Sequence, residues 1–308
     1  MNTKGNTIFW ALIACLLWST AYAGIKIGLQ YDTPFHFAGI RFIISGLLVL
    51  PFTVRPLVFF RMVRDNLGVF IWVTLLQIVI NYSLFYQGLN LVPGALGAVV
   101  YGAQPLIIAC VAAMAGNDDK LTRKKIITII FGISGVILVS VGRQAFKLGS
   151  DLELLGIGMI LVANLATGIS NIIISHKSRN INPLVLSSFS LFFGGVILYL
   201  ISIPVEKASN NTMPIQYWIT LSWLSFMAAS AFSIWYKLLQ RPGVKVSELN
   251  LWKFITPVAG AIFSWMLIRD EHPEWLTFVG MIVITIALVL YYRNPKKVSS
   301  VEEIKLHG

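Results

Sequence analysis

Residues 246–268 read VSELNLWKFITPVAGAIFSWMLI, a run long enough to cross a bilayer that nonetheless holds a lysine and a proline in its interior. A lysine near the middle of a spanning helix costs about 2.5 to 3.5 kcal/mol on insertion scales, and more if it faces lipid, so Lys253 is expected to point into protein or a wet cavity. Pro257 has no N–H to give. The carbonyl of Lys253, one turn back, therefore loses its helical partner, and the helix should bend or loosen there. A cation and a free acceptor thus share one turn. At helical spacing Asn250, Lys253, Pro257, Gly260 and Ser264 fall on one face, with Leu251, Phe254, Ile255, Ile262 and Phe263 on the others.

Outward from that stretch the chain is of one kind. Of its 308 residues 56% are hydrophobic and 12% charged, far too apolar for a soluble domain of this length. Apolar runs of the length that a bilayer core demands recur ten times, at residues 7–27, 37–54, 68–89, 94–114, 126–141, 154–175, 183–204, 215–239, 246–268 and 275–292. The fifth is short and the eighth is polar for a span. The expected fold is an all-α membrane protein of ten transmembrane helices.

The formal charge of +11 would point to nucleic acid in a soluble protein, but in a membrane protein the placement of charge matters more than its sum. With the N-terminus in the cytoplasm, Lys4, Arg55, Arg61, Arg64, Lys120, Arg123, Lys124, Lys125, Lys177, Arg179, Lys237, Arg241, Lys245, Arg293, Lys296, Lys297 and Lys305 all lie inside. Only Lys26, Arg143, Lys147, Lys207 and Arg269 lie outside. This asymmetry predicts both termini in the cytoplasm and an inner- or plasma-membrane location. The two cysteines, Cys15 and Cys110, fall within spans and imply no disulfide. Leu12-Ile13-Ala14-Cys15 and Ala21-Tyr22-Ala23 resemble processing sites, but the apolar run continues past both, so the first span is expected to be retained.

The chain also repeats itself. At an offset of 152, Pro105 falls on Pro257, Ala109 on Ala261, Asp118 on Asp270, Asp119 on Glu271 and Ile130 on Ile282, while Tyr101 falls on Lys253. Earlier in each half the offset drifts to 149, where Pro34 meets Pro183 and Gly46 meets Gly195. Five spans per repeat is an odd number, so the second copy must enter the membrane facing the other way. The predicted units are residues 1–147, residues 148–293 and a charged tail, 294–308. Inverted repeats with interrupted helices in matching positions are the usual sequence pointer to a transporter with a site near the midplane.

Leu17-Trp18-Ser19 in the first span, Pro34 followed by Arg41 in the second, and a proline with an acidic residue thirteen or fourteen positions beyond it in the fourth and ninth resemble the EamA family of the drug/metabolite transporter superfamily. The resemblance covers nearly the whole chain. Ala115-Gly116-Asn117-Asp118-Asp119 departs from the Leu-Gly-Glu type sequence usual after the fourth span. The resemblance implies a central cavity walled by spans one, three, four, six, eight and nine, with spans five and ten peripheral. It also suggests a structural role for Arg41, which could alternatively snorkel to the outer surface or brace a neighbouring helix.

Polar stripes fall on those same spans: Asn164, Thr167, Asn171 and Ser175 in the sixth, Gln77 and Asn81 in the third, Gly94, Gly97, Tyr101, Gln104 and Pro105 in the fourth, and Trp18 and Tyr22 in the first. Span eight carries Ser222, Ser225 and Ser233, then Trp235 and Tyr236. Small and hydroxyl residues in membrane helices more often let helices pack than touch a solute, so Thr167, Ser175, Gly97 and the serines read first as structural. The expected substrate-binding residues are Lys253, Tyr101, Gln104, Asn171, Trp18, Asn164, Asn81 and Gln77, with Pro105 and Pro257 as hinges.

No Asp or Glu lies in the middle of any span, which leaves carboxylate-based exchange of cationic drugs without a residue to run on. A cavity holding a lysine and no acid favours a solute with a carboxylate or phosphate. Nothing reads as an enzyme, no cofactor is implied, and His36, His176, His272 and His307 lack metal-ligand spacing. The expected partners are a small-molecule substrate and the lipid bilayer, with no nucleic acid and with homo-oligomerisation left open. The sequence therefore predicts a carrier for an anionic or zwitterionic metabolite of the amino-acid or organic-acid class. Efflux of drug-like or aromatic compounds, and a receptor that keeps the fold without transporting, are the alternatives.

Overall fold

Apolar segments whose backbone must satisfy itself fold as helices, and the computed structural model of this protein is helical throughout, with no strand among the residues it describes. These are residues 3–92, 94–116, 119–141, 151–207, 213–267 and 275–293. The fifteen α-helices are α1 (Thr3–Ser19), α2 (Ala21–Gly28), α3 (Pro34–Val49), α4 (Pro56–Asp65), α5 (Leu67–Val73), α6 (Asn81–Leu91), α7 (Gly94–Gly102), α8 (Gln104–Met114), α9 (Arg123–Val141), α10 (Asp151–Lys177), α11 (Pro183–Val205), α12 (Ile215–Leu239), α13 (Val246–Leu251), α14 (Ile255–Leu267) and α15 (Trp275–Arg293). A π-helical stretch, Thr74–Ile80, joins α5 to α6 without a break, and a 3₁₀ turn, Trp252–Phe254, joins α13 to α14.

Seven of these helical runs are long and apolar enough to cross a membrane: Gly5–Gly28, Pro34–Phe52, Leu67–Leu91, Gly97–Met114, Asp151–Lys177, Pro183–Val205 and Ile215–Leu239. Three of the ten expected runs are not among them. The helix for the fifth opens on Arg123, Lys124 and Lys125, the ninth is divided by its 3₁₀ turn, and Trp275–Tyr291 is a shorter apolar helix. The eighth run, polar as it is, forms an unbroken helix of 25 residues. One helix was not expected. Residues 56–65 fold into the short α4, whose Leu57 and Phe60 are exposed while Phe59, Met62 and Val63 pack on the core. The tail 294–308 and Arg143, Lys147, Asp118, Arg269, Asp270 and Glu271 lie outside the described residues, so the loop charges assigned to them are not placed.

α3 and α11 pack most intimately, backbone against backbone. A Cβ on Gly195 would collide with the Gly39 carbonyl and the Ile43 amide, and one on Gly46 with the Phe192 backbone, so glycine is required for this approach. α9 packs on α15, α10 on α6, and α1 on α12. Large apolar side chains such as Trp72, Leu200, Ile203, Trp218 and Met266 point outward and are exposed, as lipid-facing side chains are.

Candidate functional site

Both expected proline positions coincide with interruptions. In the fourth run α7 ends at Gly102 and α8 begins at Gln104, placing Pro105 in its first turn. In the ninth, the 3₁₀ turn holding Lys253 sits one turn before Pro257. Proline removes a donor and crowds the preceding turn, which is why each helix loosens on its N-terminal side.

The fourth-run break is repaired by an asparagine from α10. Asn164 is fully buried; its Nδ2 donates to the Val100 carbonyl at 3.0 Å and towards that of Tyr101, the carbonyl freed by Pro105, at 3.5 Å. Its Oδ1 accepts from Gln104 Nε2 at 3.2 Å, which turns Gln104 Oε1 towards Lys253, whose Nζ donates to it at 2.8 Å. One chain of hydrogen bonds therefore runs from α10 through α8 to the lysine.

Lys253 is only partly covered, and its Nζ lies 5.0 Å from the Trp235 ring centre and 5.5 Å from that of Trp18. The two indoles meet edge to face at 5.1 Å, and Phe232 joins Trp18 at 5.6 Å. Cys15 and Thr256 adjoin the same place. Among the described residues no carboxylate pairs with Lys253. A lysine amine on indole faces with one neutral acceptor has spare donors to offer a guest.

The other expected residues surround this core unevenly. Tyr101 is partly exposed and its ring lies tilted against that of Phe85, with centres 4.4 Å apart. Asn171 is fully buried and donates to Asn250 Oδ1 at 3.2 Å, while Asn250 bonds back to the Val246 carbonyl, so this pair fastens α10 to α13. Asn81 accepts from Thr167 Oγ1 at 3.1 Å, also fully enclosed. Gln77 lies in the π-helical stretch, 4% exposed, with Oε1 lacking a partner among the described residues. Lys253, Gln104, Trp18 and Asn164 are thus brought into one connected group, whereas Asn171, Asn81 and Gln77 are buried between helices. Tyr22, Gly94 and Ser264 lie outside the described residues as far as their side chains go. Of the α12 serines, Ser222 is exposed, Ser225 bonds back to the Leu221 carbonyl at 2.7 Å while its own carbonyl accepts from Ser45 Oγ at 3.0 Å, and Ser233 meets Ser187 of α11 at 2.9 Å.

Trp235 was not among the expected site residues, although Phe232, Trp235 and Tyr236 share a helical face and could have marked one. Arg41 does not snorkel. It is 1% exposed, with its guanidinium 4.4 Å from the Phe42 ring centre and 5.6 Å from that of Tyr82.

Residues 5–141 and 154–293 match the EamA-like transporter family. The chain belongs to this family. It is a multi-pass membrane transporter, which implies a small-molecule substrate and a bilayer around it. Among similar proteins are an uncharacterized transporter of Synechocystis, 24% identical over 94% of this chain and 90% of its own, and a "probable amino-acid metabolite efflux pump" of Escherichia coli, 25% identical over 97% of this chain and all of its own. A chloroplastic WAT1-related protein of Arabidopsis thaliana is 26% identical over 93% of this chain and 70% of its own. A solved crystal structure of 16% identity superposes with a TM-score of 0.76 over 96% of this EamA chain and 99% of that one, a likeness of fold.

Proposed function

We propose that this EamA transporter moves a small anionic or zwitterionic metabolite, of the amino-acid or organic-acid class, by alternating exposure of the space in front of Lys253. The observation that carries this reading is an ammonium held by Trp18, Trp235 and Gln104 with no acid against it among the described residues. A solute carboxylate would supply the missing charge, and the indoles would hold its apolar part. The relative named an amino-acid metabolite efflux pump points to the same solute class.

The architecture that goes with this reading is ten spans in two inverted five-helix repeats, residues 1–147 and 148–293, with both termini cytoplasmic. In support, helix starts recur at near-constant spacing: Pro34 and Pro183, Leu67 and Ile215, Arg123 and Trp275. Packing recurs too, since α10 on α6 and α8 is matched by α1 on α12 and α14. Gln104 facing Asn164 likewise has a counterpart in Thr256 beside Cys15. Pro105 and Pro257 would let each half bend as the cavity changes sides.

The purified chain in liposomes should exchange labelled amino or organic acids in counterflow, and Lys253→Met should lose that exchange while inserting and unfolding as the parent does. Near-parental exchange by Lys253→Met would overturn the role of the lysine. The aromatic wall favours a second reading, export of drug-like aromatic compounds with Lys253 as a brace; there the same variant would lose stability along with flux.

A further inference from the structure

Arg41 is a buried cation that no acid among the described residues pairs with. Its guanidinium lies on the Phe42 and Tyr82 rings, and the hydroxyls of Tyr82 and Tyr86 adjoin it. Nevertheless Nε and Nη1 make no hydrogen bond among the described residues. The acids at this end of the bundle are engaged elsewhere. Glu206 accepts from Thr33 Oγ1 at 2.6 Å and from the amides of Phe35 and His36 at 2.8 and 2.9 Å, capping α3; Asp32 accepts from the Tyr217 hydroxyl at 2.7 Å and faces His36. A guanidinium kept only to brace helices would be expected to spend its donors on carbonyls or a carboxylate, because an unpaired buried charge costs stability.

Arg41 also stands on the same aromatic wall as Lys253. Tyr82, partly exposed, meets Phe42 at 4.7 Å, Phe42 meets Phe232 at 6.3 Å, and Phe232 meets Trp18, which faces Lys253. Each cation sits seven residues into its run, Arg41 from Pro34 and Lys253 from Val246, or about 10 Å in from the helix start. In the inverted arrangement those starts are at opposite membrane faces.

We propose that Arg41, with the hydroxyls of Tyr82 and Tyr86, is a second anion station of this carrier. It receives the carboxylate of an amphipathic solute on the outer side, and Lys253 receives it on the inner side. In giving the stations sides we rest on the carrier reading above; that Arg41 binds a carboxylate stands on its own geometry. The planar fork of a guanidinium matches a carboxylate, and the ring surfaces between the stations suit an apolar solute body.

The test is thermal unfolding of the purified full chain with acetate, benzoate, succinate and glutamate at up to tens of millimolar. At least one should stabilise the parent. Arg41→Met should weaken that anion at least about tenfold, with its unfolding temperature in the absence of anion unchanged or higher, since a buried unpaired charge is gone. Arg41→Lys, which keeps charge but not the fork, should fall between. Lys253→Met should retain part of the stabilisation, and the double variant none. No stabilisation of the parent by any of the four, or parental affinity in Arg41→Met, overturns the station. If Lys253→Met alone loses all binding, the station falls and the carrier reading survives. If Arg41→Met loses binding while Lys253→Met still transports, the station survives and the reading of Lys253 falls. Should the Arg41 variants not fold, phenylglyoxal labelling of Arg41 in the parent, read by mass spectrometry, should slow with the stabilising anion; labelling at an unchanged rate overturns the station.

Discussion

The two interrupted runs solve the same problem in opposite ways. At Pro105 the freed backbone is satisfied by neutral amides: Asn164 reaches the Val100 and Tyr101 carbonyls and ties down Gln104. At Pro257 the turn before the proline instead carries an ammonium between two indoles. Tyr101 and Lys253 are counterparts by offset, so two similar backbones have taken opposite side-chain roles. On the function proposed above, the difference teaches that a break in a membrane helix serves as a site only where its polar groups are left with capacity to spare. Where a neighbour consumes that capacity, the break becomes a joint. Gln104 connects the two, bonded to Asn164 on one side and Lys253 on the other.

The comparison breaks most completely if the second run is made to resemble the first. Lys253→Tyr should reduce counterflow at least about 30-fold, the loss expected on removing one side of a desolvated charge pair, with insertion intact. Next in size, Asn164→Leu should lower unfolding stability by about 1 to 3 kcal/mol by removing its bonds to the Val100 carbonyl and to Gln104 Nε2. Denaturation should register that loss, and the flux of correctly folded protein should fall far less than in the lysine variant. A stable, inactive Asn164→Leu would instead make the first break a binding site. Gln104→Leu should weaken the solute about 3- to 10-fold, the range of one ordinary hydrogen bond, because the lysine loses the acceptor that positions it, seen as a raised KM with kcat nearly kept. The smallest effect is reserved for Pro105→Ala and Pro257→Ala, each within about 1 kcal/mol of the parent in stability. Both should slow exchange without altering KM, because restoring the missing N–H stiffens a joint and not a pocket.

Legibility differed by the kind of residue. Lys253 could be read because a charge within an apolar run demands an explanation wherever it lies. Pro105 and Pro257 could be read because proline acts on its own backbone. Trp235 could be placed on the stripe of the eighth run but not beside Lys253, since only packing brings it to 5.0 Å from the ammonium. Asn171, Asn81 and Gln77 resembled Asn164 and Gln104 in sequence, as carboxamides on polar stripes; all five are buried, and what separates the two sets is the chain of hydrogen bonds that ties Asn164 and Gln104 to Lys253. Arg41 misled in the other direction: its place early in a run allowed snorkelling, and it is enclosed by Phe42 and Tyr82.

What the sequence determined by itself was the solvent, the helical class, the positions of both breaks and the presence of a cation without an acid beside it in the chain, because each follows from local hydropathy or from one residue's own backbone. The tertiary structure decided which carboxamides are consumed and which ring lies over which cation, and it set Lys253 and Arg41 along one aromatic wall. Those are matters of distance between segments far apart in the chain, and helical periodicity fixes the face a side chain leaves from but not the neighbour it meets.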